Sequence, residues 1–342
     1  LATIKDVARL AGVGLGTASR VVSGKGSVSP ATLARVKKAI DELGFRPSHA
    51  ARALLSGSSQ MIGVYIPVLS GTFYTPILQI IDTELRSAGL HMVVAFGSGV
   101  GDQRRQAMEG IQFLIERGCD GLIMMTGALN EDDLAQLGPA QNRLVALNHQ
   151  FDSIPEQCFT VDHELGGRLA ARTLLDHKHR DIAVVGGPAV LPDNVARLRG
   201  FRAELEEAGV DTNTMWVVES DFSPAGGWAA AKELTESGHP FTALFCANDE
   251  MAVGALSYFQ EAGIRVPHDL SVIGYDDTPS AAFSAPRLTS VHMPWREMTE
   301  NGLNALLNLC YDLKRPVTRT FPVSVTLRAS LARAGSKPRK PR

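Results

Sequence analysis

From Gln60 onward the chain alternates short apolar runs with longer amphipathic stretches, and no other feature restricts its possible folds as strongly. The apolar runs are Met61 to Ile66, His91 to Phe96, Gly121 to Met125, Leu144 to Leu147, Ile182 to Val185, Met215 to Val218, Ala243 to Cys246 and Ser271 to Gly274. Between them lie stretches of helical period, namely Tyr74 to Ala88, Gln103 to Arg117, Leu165 to His177, Val195 to Ala208, Ala225 to Ser237 and Asp249 to Ala262. Strict alternation of this kind predicts parallel sheets with helices covering both faces. A span of roughly 270 residues is generous for one such sheet and comfortable for two. A helix, a glycine-containing turn and an apolar strand recur in GIQFLIERGCDGLIMM and AAKELTESGHPFTALFC, so two similar halves are expected, with a ligand cleft between them.

The first 60 residues differ in kind. They hold nine Lys/Arg against three acids, a net charge of +6, whereas the remainder holds 25 basic and 33 acidic side chains, a net of −8. A basic head on an acidic body points to a polyanionic partner for the head. Ile4, Val7, Ala8 and Ala11 line one helical face after a Thr3-x-x-Asp6 start signal, and Gly12-Val13-Gly14 breaks that helix. Leu15 to Val22 resumes the pattern, and Ser29-Pro30 opens a third helix whose buried face is Leu33, Val36, Ile40 and Leu43. Two helices joined by a tight turn and closed by a third make the helix-turn-helix plan, which leaves the second helix exposed.

Several function classes are disfavoured. No apolar run approaches the roughly 18 residues of a membrane span, and Leu1 to Leu10 lacks a signal peptide's apolar core, so a cytoplasmic protein is expected. Cys119, Cys158, Cys246 and Cys310 form no C-x-x-C pair, and neither a metal nor a cofactor is expected; Cys119 and Cys246 read as buried thiols. No phosphate-loop, zinc-protease or nucleophile-elbow motif occurs, so an enzyme is not expected. His163 and Glu164 beside Asp162 read as the surface of a helix start rather than acid/base groups.

The N-terminal string TIKDVARLAGVGLGTASRVVSGKGSVSPATLARVKKAIDELGFRPSHAARALLSGSS resembles the DNA-binding head of the LacI/GalR regulators almost position by position. The likeness continues through IGVYIP, DGLIM, RLRGF, CANDEMAVGA, SVIGYDD and LTSVHMPWREM, and so covers nearly the whole chain. It implies an all-α helix-turn-helix head on an α/β body of two parallel-sheet subdomains resembling periplasmic binding proteins. The expected divisions are a head over 1–46, a hinge over 47–59, a body over 60–332 and a disordered basic tail over 333–342. Within the body, one subdomain takes about 60–160 and 293–319, the other about 161–292 and 320–332.

On the head, Thr17, Ser19 and Arg20 supply donors, although a solvated surface helix would carry the same residues. The resemblance adds Leu15 and Gly16 as operator-selecting positions and Thr3 as a further contact. Where the family usually has serine, this chain has Gly14, and Gly16 adds about 1 kcal/mol of helix penalty. The segment after Pro47 offers about two helical turns, too short for a helix alone in water. By resemblance it is a hinge helix that meets the minor groove through Ser48, His49, Ala51, Arg52 and the wedge Leu54; the alternative is a plain alanine-rich linker.

In the body, Asn248 and Asp249, Asp276 and Asp277, and Arg197 sit near the carboxyl ends of expected strands, where parallel sheets place ligands. Helix capping by Asn248 or Asp249 and a turn held by Asp277 are the alternatives. The resemblance selects Arg197, Asn248 and Asp276 as effector contacts, Phe222 and Trp295 as aromatic walls, and Phe73, Tyr74 and Asn148 from the other half. Asn148 and Pro67 depart from lactose-type members, and a sugar acid or phosphorylated sugar stays open because Arg197 can pair with an anion. The expectation is a homodimeric repressor of carbohydrate-utilisation genes, held on operator DNA and released by a small sugar-like inducer. A co-repressor-dependent regulator, a sugar-binding receptor and a sugar-modifying enzyme are the alternatives.

Overall fold

The computed structural model describes residues 2–23, 27–46 and 57–335. The head contains three helices, α1 (Ile4–Leu10), α2 (Leu15–Ser23) and α3 (Pro30–Leu43). A capping box starts α1: the Asp6 amide donates to Thr3 Oγ1 at 3.4 Å, and the Asp6 carboxylate accepts from the Thr3 amide at 2.9 Å. Ser29 caps α3, with Pro30 in its first turn and Gly44 closing it at φ +57°. Val7, Ala11, Val36 and Ala39 form a small core, with Val21, Ile40, Leu43 and Phe45 packed against it. Ala18 is the buried residue of α2, so most of that helix is held outside the core.

The body is built on two sheets. The first comprises β1 (Met61–Ile66), β2 (His91–Phe96), β3 (Gly121–Met124), β4 (Leu144–Leu147) and β5 (Cys158–Phe159), in the order 2-1-3-4-5. The second comprises β6 (Ile182–Gly186), β7 (Val217–Glu219), β8 (Ala243–Cys246), β9 (Ser271–Asp276), β10 (Thr289–His292) and β11 (Ser324–Thr326), in the order 11-10-9-8-6-7. Matching β6 to β1 and β7 to β2 superimposes the two orders, which explains the internal echo: its two copies are the helix-to-β3 and helix-to-β8 steps. All pairings are parallel except β10 with β11, an antiparallel edge that corrects the expectation of purely parallel sheets. Strands β5, β10 and β11 were too short or too polar to read from apolar runs.

The helices of the body are α4 (Tyr74–Ser87), α5 (Gln103–Glu116), α6 (Glu131–Gln136), α7 (His163–Asp176), α8 (Pro192–Glu207), α9 (Pro224–Glu236), α10 (Asp249–Glu261), α11 (Pro279–Phe283) and α12 (Trp295–Tyr311). Helix α12 follows β10 of the second sheet yet packs on α4, β3 and β4 of the first half, so the chain crosses between the halves more than once. Helices α7 and α8 meet backbone to backbone: a Cβ on Gly167 would lie 2.0 Å from the Arg197 carbonyl oxygen, and one on Gly200 1.9 Å from that of Glu164. Gly227 and Gly254 bring α9 and α10 together in the same way. Hydrogen bonding of the body extends to Ala334, whose amide donates to the His177 carbonyl at 2.9 Å; residues 336–342 of the expected tail lie outside the described residues.

Candidate functional site

A cavity of about 300 Å³ lies between the carboxyl ends of the two sheets. It is at the small end of ligand pockets, which run from about 300 to 1,000 Å³. Phe73, Tyr74, Asn148, Arg197, Phe222, Asn248, Asp276 and Trp295 all line it. The site is held by backbone that side chains rarely adopt: Asn148, Phe222 and Asp276 have φ of +59°, +65° and +101°. The Phe222 ring lies over Gly187, where a Cβ would stand 2.1 Å from it.

Arg197 is at the centre and is only 3% exposed. Its Nη1 donates to the Ala247 carbonyl at 2.6 Å and its Nη2 to Asp193 at 3.2 Å, while Asp276 Oδ1 stands 3.5 Å away as an ion pair. Its guanidinium stacks on Tyr275, 4.1 Å from the ring centroid. Burial opposes the Arg197 charge, but Asp276 and Asp193 outweigh it and hold the guanidinium above its ordinary pKa. Burial pushes the Asp276 carboxyl well above the usual range; Arg197 opposes this, while Asp249 and Asp193 add to it.

The expectation for His163 was a surface position, and the structure corrects it. The imidazole is buried at the start of α7, because Gly167 and Gly200 let α8 approach closely there. Burial, aided by Arg197, pushes it down to about 3, so it is neutral. Arg197 Nε donates to its Nδ1 at 3.3 Å, which leaves Nε2–H to donate to Asn148 Oδ1 at 2.7 Å. Asn148 Nδ2 then donates to Asp193 Oδ2 at 3.2 Å. This chain of bonds joins a residue of the first half to three of the second across the cleft. A second link is made by Glu250, whose carboxylate accepts from the Thr72 amide at 2.7 Å and from its hydroxyl.

Asp193 and Glu250 were missed from sequence. The Asp193-x-x-x-Arg197 spacing, one turn apart on α8, was the available signal. Asn248 lines the cavity and also caps a helix: its Oδ1 accepts from the Met251 amide at 2.9 Å at the start of α10, and its Nδ2 donates to the Phe222 carbonyl at 3.0 Å. Asp249 points away from the cavity and accepts from the Thr278 amide at 2.7 Å and the Ser290 hydroxyl at 2.6 Å. Asp277 holds a loop through Arg328, Thr326 and His292. The Trp295 ring meets Phe73 edge-on at 4.6 Å, and its buried Nε1 has no hydrogen-bond partner.

On the head, Leu15 is 47% exposed, and Gly16 and Arg20 are exposed beside half-buried Thr17 and Ser19. Leu15 with Ser19, and Gly16 with Arg20, are spaced four apart and so share one face. Thr3 is exposed, with its hydroxyl engaged by Asp6. Ser48, His49, Ala51, Arg52 and Leu54 lie outside the described residues. Where description resumes, Asp120 fastens the chain: it accepts from the Ser59 and Gln60 amides, each at 2.8 Å, and from the Tyr311 hydroxyl at 2.7 Å. Burial works against charge on Asp120, but these donors together hold its carboxyl below the ordinary value. Among the described residues no cluster of three or more His, Cys, Asp or Glu is arranged for a metal, and no helix is long and apolar enough to cross a membrane.

Comparison with known proteins places both parts. The model of bacterial regulatory proteins of the lacI family matches residues 3–48, and that of the periplasmic binding protein-like domain matches 171–331. The HTH-type transcriptional repressor PurR of Vibrio vulnificus is 32% identical over 91% of this chain and 93% of its own length. A crystal structure of a LacI-family transcriptional regulator from Burkholderia phymatum is 49% identical, covers 80% of this chain and all of its own, and has a TM-score of 0.78. The lac repressor dimer bound to operator and an anti-inducer is 28% identical over 97% of this chain and 99% of its own, with a TM-score of 0.80.

Proposed function

The chain belongs to the LacI family of bacterial transcriptional regulators, and on that premise we propose that it is a homodimeric repressor of carbohydrate-utilisation genes, released from operator DNA by a small sugar-like inducer. The head over 1–46 reads the major groove with Leu15, Gly16, Thr17, Ser19 and Arg20, and Thr3 adds a backbone contact. The segment 47–59 is the hinge, with Ser48, His49, Ala51, Arg52 and Leu54 facing the minor groove. The body over 60–332 holds the effector against Arg197, Asn248, Asp276 and Asn148, with Phe73, Tyr74, Phe222 and Trp295 as walls.

The observation that carries this reading is the hydrogen-bonded chain Asn148, His163, Arg197 and Asp193, which spans the cleft. A ligand that inserts among these groups must change the bonds holding the two halves at their present angle. Such a change alters the spacing of the two hinge segments in a dimer, and a peptide of about two turns has little helical stability to resist it. The operator-bound relative is a dimer with an anti-inducer, which supports both partners of this scheme. A co-repressor would obey the same linkage with the opposite sign.

Two measurements test the reading. Selection from a random duplex pool should enrich one pseudo-palindromic site for the full chain, and a chain beginning at residue 60 should enrich none. Neutral sugars that raise the unfolding temperature of the full chain should lower its affinity for that site. Enrichment by the truncated chain, or turnover of such a sugar, would contradict it.

A further inference from the structure

The charges in the cleft are unbalanced. Among its lining residues four bear carboxyl groups, Asp193, Asp221, Glu250 and Asp276, against the single guanidinium of Arg197; burial favours the neutral form of Asp276, and a cation set against it would favour the charged one. Arg197 is moreover already occupied by hydrogen bonds: Nη1 with Ala247, Nη2 with Asp193 and Nε with His163. An anionic ligand would have to displace those partners and then lie among the acids Asp193, Asp221, Glu250 and Asp276. The openness to sugar acids and phosphates that Arg197 suggested from sequence therefore closes.

What the site lacks is donors. Asp276 is 5% exposed and lines the cavity, and its Oδ1 has no hydrogen bond, the nearest charge being Arg197 at 3.5 Å. The other acids are better served, Glu250 by Thr72 and Asp221 by the amide and hydroxyl of Ser223 at 3.0 and 2.6 Å. A sugar hydroxyl brings one donor and no charge. An ammonium brings three donors and a positive charge, in a site shielded from water where charge is felt strongly.

We propose that the ligand of this cleft carries an ammonium group set against Asp276 Oδ1, so that the cleft prefers amino-substituted sugar-like molecules, takes neutral ones more weakly and excludes phosphorylated or carboxylated ones. This rests on the reading of the cleft as the effector site, and it goes further by fixing the sign of the ligand's charge.

The test is calorimetric titration of the full chain, without DNA, using glucose, galactose and mannose, each as the neutral sugar, the 2-amino sugar and the 6-phosphate. For any ring that binds, the amino form should bind at least about tenfold more tightly than the neutral form, and the phosphate at least about tenfold more weakly. Equal affinities across the three charges, tighter binding of the phosphates, or no binding by any of the nine compounds overturns the proposal. Asp276→Asn should bring the amino-to-neutral ratio close to one, and Glu250→Gln should reduce it by less; thermal unfolding shows whether each variant folds. An unchanged ratio in both folded variants removes Asp276 as the partner. If amino sugars bind as expected while operator affinity stays fixed, the regulatory reading fails and the charge assignment stands.

Discussion

At the residue scale, the cleft depends on how buried charges are paired. Arg197 fills five roles at once, as donor to Ala247, Asp193 and His163, counter-ion to Asp276 and platform for Tyr275. Removing one partner from a buried ion pair typically costs about 3–5 kcal/mol, because the remaining charge is stranded. Arg197→Met should therefore lower stability by that amount in urea titration, and Arg197→Lys should keep part of the stability while losing ligand affinity, since lysine cannot fork. Asp249 gives a different signature. Burial lifts its carboxyl to about 7, above an ordinary value of 3.8, against the opposing bonds from Ser290 and Thr278. The folded state thus favours the protonated form, so its contribution is intact below about pH 4 and is lost as pH rises through about 7. Unfolding free energy measured from pH 4 to 8 should decline more steeply for the natural chain than for Asp249→Asn, by a few kcal/mol in total. Parallel profiles would contradict the burial argument.

At the element scale, the polar network exists because two helices touch. Gly200→Ala places a methyl group against the Glu164 carbonyl, pushing α8 off α7 and separating Arg197 from His163. The expected cost is about 1–3 kcal/mol, with ligand affinity falling more than stability alone explains. At the other end of the body, Asp120 fixes Ser59 and Gln60, at the end of the proposed hinge. Asp120→Ala should leave ligand titrations unchanged and weaken the effect of ligand on DNA binding, because cleft motion then reaches a loosened hinge. These elements also mark what the sequence made legible. The strand and helix alternation, the Thr3 and Ser29 caps and eight of the residues that line the cavity could be read, since apolar period, cap chemistry and motif resemblance are local signals. His163 was misplaced and Asp193 overlooked because their roles arise where α7, α8 and the loop after β4 converge, which no local pattern encodes. Strands β10 and β11 escaped for a similar reason: Thr289 and Ser290 are polar yet fully buried by tertiary pairing.

At the scale of the whole molecule, the first 60 residues carry a net charge of +6 and the remainder a net charge of −8. The head supplies non-specific attraction to phosphates, so operator affinity should fall by a factor of about 10³ or more between 50 and 200 mM salt if six or more phosphates are contacted. The cleft through which control would act lies in the body. The central claim is that occupancy of the cleft and grip on DNA are thermodynamically linked. The direct measurement is the binding isotherm of the full chain for its selected operator duplex, with and without a saturating cleft ligand at fixed salt. The account predicts a shift of about 5- to 150-fold that vanishes in a folded Arg197→Met variant. Superimposable isotherms, with the ligand shown to be bound, would contradict it.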